Sequence, residues 1–194
     1  MKNNDIKITI VGLGYVGLPL ALAFSKKYNV IAFDKNKNRI KELKIGFDIN
    51  KETSKKILLN SKIFLTSEIK EIKNSNFYIV AVPTPINSNN KPDLRNLKSA
   101  CLMISKFLKK NDFVVFESTV YPGLTEEFCV PLLEKNNKLR LNKDYYCGYS
   151  PERINPGDKK HQLTSIKKIV SGSNNFSSKK IKKLYESIIK AGTH

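Results

Sequence analysis

The chain has 194 residues, enough for one domain with a substantial apolar core, and no apolar run in it approaches the roughly 20 residues that cross a membrane. We therefore expect a cytoplasmic protein with no membrane partner. The formal net charge of +18 comes mostly from lysines that are spread along the chain, and the sequence contains no recognisable DNA- or RNA-binding module, so we expect no nucleic-acid partner.

Apolar runs of strand length alternate with helical patterns along the chain. The predicted strands cover residues 6–11, 30–33, 62–66, 77–82, 113–116 and 145–149, followed by a last short run at 168–171. The predicted helices cover residues 18–27, 36–45, 93–109, 123–135 and 177–190. Strands that are apolar throughout and separated by helices are typical of a parallel sheet covered on both faces. We predict an α/β fold: a doubly wound, mostly parallel Rossmann-type sheet with helices on both faces.

Three glycines lie between the first predicted strand and the first predicted helix, in the stretch VGLGYVGLPLALAF. The first permits a sharp turn, the second lets the backbone approach a pyrophosphate, and the third lets the helix pack close to the strand. The start of the helix then faces the phosphate charge. The pattern predicts a dinucleotide site, and the residues expected to contact the cofactor here are Gly12, Gly14, Tyr15, Val16 and Gly17.

An aspartate closes the second predicted strand. Asp34 lies 22 residues after Gly12, near the spacing of the residue that binds the adenosine ribose. A carboxylate there accepts hydrogen bonds from both ribose hydroxyls and repels a 2′-phosphate, which favours NAD over NADP. Lys35 and Arg39 can soften that repulsion, and we include Arg39 among the predicted cofactor-binding residues. The alternative is a glycine turn with a surface aspartate.

Three further motifs follow in order: VPTPIN at 82–87, ESTVYPGLTEE at 117–127 and GYSPERINPGD at 148–158. Together with GLGYVGLPLALAF, they resemble the UDP-glucose/GDP-mannose dehydrogenase family. The last motif is similar to the branch that oxidises UDP-N-acetylhexosamines, including enzymes of the Vi polysaccharide type. The resemblance implies an NAD-dependent 6-dehydrogenase that oxidises the C6 alcohol of UDP-GlcNAc or UDP-GalNAc to a carboxylate for surface polysaccharide biosynthesis. It also implies that the full-length enzyme is a homodimer.

Two of these motifs end predicted strands at the carboxyl edge of the sheet, where open α/β folds bind ligands. Pro83 and Pro85 flank Thr84 in a rigid turn, and the resemblance implies that these three residues line the dinucleotide groove. Ser118 and Thr119 offer hydroxyls for the nicotinamide amide or a catalytic water, and the resemblance gives Thr119 a catalytic role. The alternatives are a plain strand-ending turn and helix capping.

The YSPERINPGD motif forms an extended loop restricted by its prolines. The resemblance assigns Glu152 to catalysis, where a carboxylate assists proton transfer through water and contacts the substrate. Arg153 and Asn155 are predicted to bind the sugar or the phosphates of the substrate. The alternative is a surface ion pair between Glu152 and Arg153. In the preceding motif, Glu117 is expected to accept hydrogen bonds from local backbone N–H groups.

The chemistry of the family requires a nucleophilic cysteine. Cys101, Cys129 and Cys147 are scattered, none matches the nucleophile motif of the family, and we expect buried thiols and no metal site. We therefore expect residues 1–194 to be the NAD-binding N-terminal domain of a nucleotide-sugar dehydrogenase, inactive alone, with the central helix and the C-terminal UDP-sugar-binding domain absent from the chain. The alternatives are a non-catalytic, truncated nucleotide-binding module or another Rossmann-type dehydrogenase.

Overall fold

A computed structural model describes residues 5–152 and 166–194. The strands are β1 (Lys7–Val11), β2 (Asn29–Phe33), β3 (Phe64–Thr66), β4 (Phe77–Val80), β5 (Phe113–Phe116), β6 (Tyr146–Tyr149) and β7 (Ser171–Gly172). The helices are α1 (Gly17–Phe24), α2 (Lys37–Lys44), α3 (Lys55–Leu59), α4 (Arg95–Ser105), α5 (Val130–Glu134) and α6 (Asn175–Glu186). A 3₁₀ helix covers Ile69–Asn74, and a π-helical segment at Thr125–Cys129 leads directly into α5.

The strands form one sheet in the order β3-β2-β1-β4-β5-β6-β7. Every neighbouring pair is parallel except β6 and β7, which are antiparallel. The chain order reverses between β1 and β4, where Val11 pairs with Phe33 on one side and Val80 on the other. In open α/β sheets this reversal opens a crevice at the carboxyl ends of the strands, where ligands bind.

Each inner strand buries both of its faces, which explains why its sequence is apolar throughout. In β5, Phe113 and Val115 belong to the core that packs beneath α1 and α6, whereas Val114 and Phe116 belong to the core that packs beneath α4 and α5. The predicted doubly wound, mostly parallel sheet with helices on both faces is confirmed.

Two local predictions were incomplete. The short helix α3, capped by the Ser54 side chain, was not predicted because five residues are too few to show a helical repeat. The predicted helix 123–135 is divided, and its first part is π-helical. Pro131 lies in the first turn of α5 and has no N–H to donate to a carbonyl of the preceding turn, so a regular α-helix is interrupted there.

Candidate dinucleotide-binding and active site

The three glycines of the loop between β1 and α1, which we call the glycine loop (residues 12–17), have three different physical roles. Gly12 has a φ of +94°, and a Cβ there would lie 2.8 Å from the Ala81 carbonyl oxygen. A Cβ at Gly17 would overlap the carbonyl oxygen of Gly12, so only glycine allows α1 to start this close to β1. A Cβ at Gly14 would meet no atom of the described residues within 4 Å. Gly12 and Gly17 are therefore required by the fold, whereas Gly14 leaves a face of the loop open.

The start of α1 offers donors to that open face. Among residues 5–152 and 166–194, no side chain caps the helix at Val16, and the first turn of α1 contains no acidic residue. Within the described part of the chain, the backbone N–H groups of Tyr15 and Val16 donate to no protein atom. Unpaired N–H groups and the positive end of the helix dipole favour an anion at this position. The open face thus has the shape and the polarity that a pyrophosphate needs.

Asp34 connects the end of β2 to the glycine loop. Its Oδ2 accepts a hydrogen bond from the Leu13 N–H at 2.9 Å, and its Oδ1 accepts one from the Asn36 N–H at 2.9 Å. A carboxylate oxygen can accept more than one hydrogen bond, so both oxygens retain capacity for ribose hydroxyls. Asp34 is half-buried and lies against the glycine loop. The surface-aspartate alternative does not account for its bond to Leu13.

Arg39 lies beneath the glycine loop. Its Nε and Nη2 donate to the Leu13 carbonyl oxygen at 3.0 and 2.9 Å, and Nη2 also pairs with Asp48 at 2.7 Å. Asp48 therefore balances the positive charge of Arg39, which was expected to soften the repulsion between Asp34 and a 2′-phosphate. The sequence analysis did not identify Asp48. The remaining nitrogen, Nη1, is buried and has no acceptor among the described residues. A direct contact between Arg39 and the cofactor stays a prediction.

The loops that follow β4 and β5 are joined by two side-chain hydroxyls. Ser118 Oγ donates to the Val82 carbonyl oxygen at 2.6 Å, and Thr84 Oγ1 donates to the Thr119 carbonyl oxygen at 2.8 Å. The capping alternative is therefore wrong for Ser118, which fixes one loop against the other. Pro83, Pro85 and Thr119 are exposed at the same edge of the sheet. Their predicted contacts with the cofactor remain predictions.

The partners of the Glu117 carboxylate are distant side chains, whereas we expected local backbone N–H groups. Glu117 is fully buried at the end of β5, accepts a hydrogen bond from the Tyr185 hydroxyl, and pairs with Lys168 at 2.8 Å. Burial raises the pKa of the Glu117 carboxyl, and the Lys168 ammonium opposes that rise. Burial also raises the pKa of Tyr185, which keeps the hydroxyl protonated as a donor. Sequence reasoning missed both Lys168 and Tyr185.

Glu152 lies beside this buried group. Its Oε2 is 3.9 Å from Lys168 Nζ, and 7% of its side chain is exposed. The register of the sheet pairs Phe116 with Tyr149, and Thr119 and Glu152 each lie three residues beyond that pair. Thr119 and Glu152, the candidate catalytic residues, therefore follow neighbouring strands at the same edge of the sheet. Arg153 and Asn155 lie outside the described residues, and so does the alternative ion pair between Arg153 and Glu152.

All three cysteines are free and buried in the described structure. A hydrogen bond with Cys129, and then burial, raises the pKa of the Cys101 thiol, while burial raises that of Cys147. Residues 5–152 and 166–194 contain no group of three or more potential ligands that could hold a metal ion. No helix in the same ranges has the length and apolar character needed to span a membrane.

We expect the folded chain to resist thiol reagents. Because a buried thiol is inaccessible to the reagent until the chain opens, the three cysteines should react roughly hundredfold or more slowly in the folded protein than in denaturant. Ellman's reagent followed by absorbance measures this directly, with the denatured chain as the reference. One rapidly reacting thiol in the folded protein would show that a cysteine had been wrongly excluded as a nucleophile.

A strand that passes through a three-glycine turn into a helix, beside a second strand ending in an aspartate, defines a Rossmann-type dinucleotide-binding domain. Residues 6–189 match the profile of the UDP-glucose/GDP-mannose dehydrogenase family, NAD binding domain. The chain belongs to this family, and the match confirms NAD as the predicted cofactor. The open face at Gly14 and the free N–H groups of the glycine loop fit it.

The relatives match almost the whole chain but are longer. The chain is 54% identical over 192 residues to UDP-N-acetyl-D-glucosamine 6-dehydrogenase of Salmonella typhi, covering 98% of this chain and 45% of that protein. It is 51% identical to the protein of the same name from Pseudomonas aeruginosa, with 98% and 46% covered. The structure of UDP-D-ManNAc dehydrogenase from Pyrococcus horikoshii superposes with a TM-score of 0.88 at 32% identity, over 97% of this chain and 46% of that one. The chain thus spans about half the length of these relatives.

Proposed function

We propose that this chain is the NAD-binding half of a UDP-N-acetylglucosamine 6-dehydrogenase, which oxidises the C6 alcohol to a carboxylate for surface polysaccharide biosynthesis. The cofactor half of the proposal depends on the open face of the glycine loop beside Asp34. The substrate is proposed from the names of the two relatives that are 54% and 51% identical. UDP-GalNAc is the second candidate substrate, and a homodimeric full-length enzyme remains a prediction.

We propose that residues at the carboxyl edge of the sheet assist the first hydride transfer of this oxidation. When bound, NAD accepts the hydride that leaves the alcohol carbon. The Glu152 carboxylate can take the alcohol proton through a water molecule, and the exposed Thr119 hydroxyl can orient that water or the nicotinamide amide. Arg153 and Asn155 remain the predicted ligands of the sugar or phosphates. Because the three thiols are buried, we propose that the nucleophilic cysteine belongs to a second, UDP-sugar-binding half.

Calorimetric titration of the 194-residue chain with NAD, NADP, UDP-GlcNAc and UDP-GalNAc tests the proposal. We expect NAD to bind more tightly than NADP by at least about tenfold, or 1.4 kcal/mol, because Asp34 repels a 2′-phosphate. We also expect no formation of NADH when NAD and either UDP-sugar are added together. Absence of NAD binding, or appreciable turnover by this chain alone, would contradict the proposal.

A non-catalytic nucleotide-binding module is the second candidate, since the three cysteines of this chain are buried. Joining the chain to the remaining half of the Salmonella typhi relative separates the two. A competent enzyme half should give NADH formation with UDP-GlcNAc, whereas a module that has lost its catalytic geometry should bind NAD and remain inactive. The intact relative provides the positive control.

A further inference from the structure

A buried charged cluster lies directly behind the candidate catalytic edge. It consists of Glu117, Glu152, Lys168 and Tyr185, which we call the Lys168 cluster. The exposed fractions of the Lys168, Glu117 and Glu152 side chains are 5%, 0% and 7%. Charged side chains are rarely buried to this extent without a specific partner, because removing them from water is costly. The contacts within the cluster therefore determine where its charges can lie.

The Lys168 ammonium lies close to two carboxylates in this cluster, those of Glu117 and Glu152. Lys168 Nζ lies 2.8 Å from Glu117 Oε2, 3.9 Å from Glu152 Oε2 and 3.5 Å from the Pro151 carbonyl oxygen. The short contact anchors the ammonium on Glu117, which also accepts from Tyr185. The two longer contacts reach the backbone and the side chain at the start of the Pro-Glu-Arg motif.

Hydrogen bonds to β4 and to the last residues of the chain hold the backbones of Glu117 and Lys168. The Glu117 N–H donates to the Val80 carbonyl oxygen at 2.8 Å, which holds it against β4. The Lys168 N–H donates to the Gly192 carbonyl oxygen at 3.2 Å, and its own carbonyl accepts from the His194 N–H at 2.9 Å. Lys168 thus extends from a fixed backbone toward Pro151.

We propose that Lys168 is a positioning residue for Glu152, with Glu117 as its buried anchor. The catalytic part of this proposal depends on the proposed function, in which Glu152 takes a proton through water. The Lys168 ammonium reaches both the Pro151 carbonyl oxygen and the Glu152 carboxylate, so it orients the group that accepts the proton. Lys168 itself lies behind Glu152 and acts through it.

The electrostatic part can be tested on the 194-residue chain without cofactor or substrate. The negative charge of Glu152 adds to the rise in the pKa of Glu117, and the charge of Lys168 opposes that rise. We therefore expect Glu152→Gln to lower the pKa of Glu117 and Lys168→Met to raise it. ¹³C NMR of the glutamate carboxyls measures both changes. Lys168→Arg should preserve the wild-type titration, and Lys167→Met, at the exposed neighbouring position, should not change it. An unchanged titration of Glu117 in Glu152→Gln would overturn the proposal, even where Lys168→Met does not fold.

The positioning part is tested in the chain joined to the remaining half of the Salmonella typhi relative. Lys168→Met should lower kcat by about tenfold to hundredfold and leave the KM for NAD within about threefold, since general acid–base assistance contributes at least that much to a rate. Lys168→Arg should restore most of kcat, and Lys167→Met should behave as wild type. Wild-type kcat in Lys168→Met would overturn the proposal. The NMR titration needs no turnover, so its outcome decides the electrostatic coupling of Glu117 to Glu152 and Lys168 separately from the proposed function.

Discussion

Gly14→Ala is expected to leave the fold intact and to weaken NAD binding by about 10- to 100-fold, since forcing a methyl group into a close contact costs about 1–3 kcal/mol. In the part of the chain that the structure describes, the added methyl group would meet no atom within 4 Å, and Gly14 does not have a positive φ. The methyl group would instead occupy the open face beside the free N–H groups of the glycine loop, where the pyrophosphate approaches. Circular dichroism melting and calorimetry measure the two effects separately.

Gly17→Ala is the matched comparison, because it adds the same methyl group three residues further on. There the Cβ would overlap the Gly12 carbonyl oxygen and lie 3.3 Å from the Ala81 side chain, so α1 must move away from β1. We expect a loss of about 3 kcal/mol or more in the free energy of unfolding and a Tm lower by about 6–12 °C. Wild-type NAD affinity in Gly14→Ala would contradict the site, and a wild-type Tm in Gly17→Ala would contradict the packing.

The sheet could be predicted because its signal is local. Each central strand is buried on both faces, so a run such as FVVF in β5 shows up as an uninterrupted apolar segment. The direction of β7 could not be predicted, since a strand of two residues, Ser171–Gly172, carries no pattern that distinguishes parallel from antiparallel pairing. The division of the helix predicted at 123–135 depends on Pro131, whose effect on the helix depends on where the helix starts.

Part of the candidate site could likewise be predicted from the sequence, and part could not. Gly12 and Asp34 are joined by one strand, one helix and one turn, so their spacing alone predicted a dinucleotide site. Glu117 and Tyr185 are 68 residues apart, and their contact depends on α6 packing back onto the sheet. Lys168 lies in the segment KKIV of a chain with a net charge of +18, where another lysine suggests a solvated surface. Burial, which no local pattern reveals, is what distinguishes it.

Asp34→Ala is expected to lower the affinity for NAD by about a hundredfold or more, because two charge-assisted hydrogen bonds to the ribose contribute about 1.5–3 kcal/mol each. The substitution also removes the acceptor of the Leu13 N–H at 2.9 Å, which loosens the glycine loop. Asp34→Asn keeps an oxygen for Leu13 and removes the negative charge. We therefore expect Asn to cost less NAD affinity than Ala and to reduce the preference for NAD over NADP.

The size of that change in preference depends on Lys35, the nearest cation along the chain. Its Nζ donates to Asn96 Oδ1 at 2.8 Å, and Asn96 in turn donates to the Pro83 carbonyl oxygen at 3.3 Å. Lys35 is thus directed toward the loop after β4, and the carboxylate of Asp34 remains the dominant charge toward a 2′-phosphate. Calorimetry with NAD and NADP measures both affinities, and Glu68→Ala, which removes an exposed carboxylate just beyond β3, is the control. Equal NAD affinity in Asp34→Ala and wild type would show that the ribose is bound elsewhere.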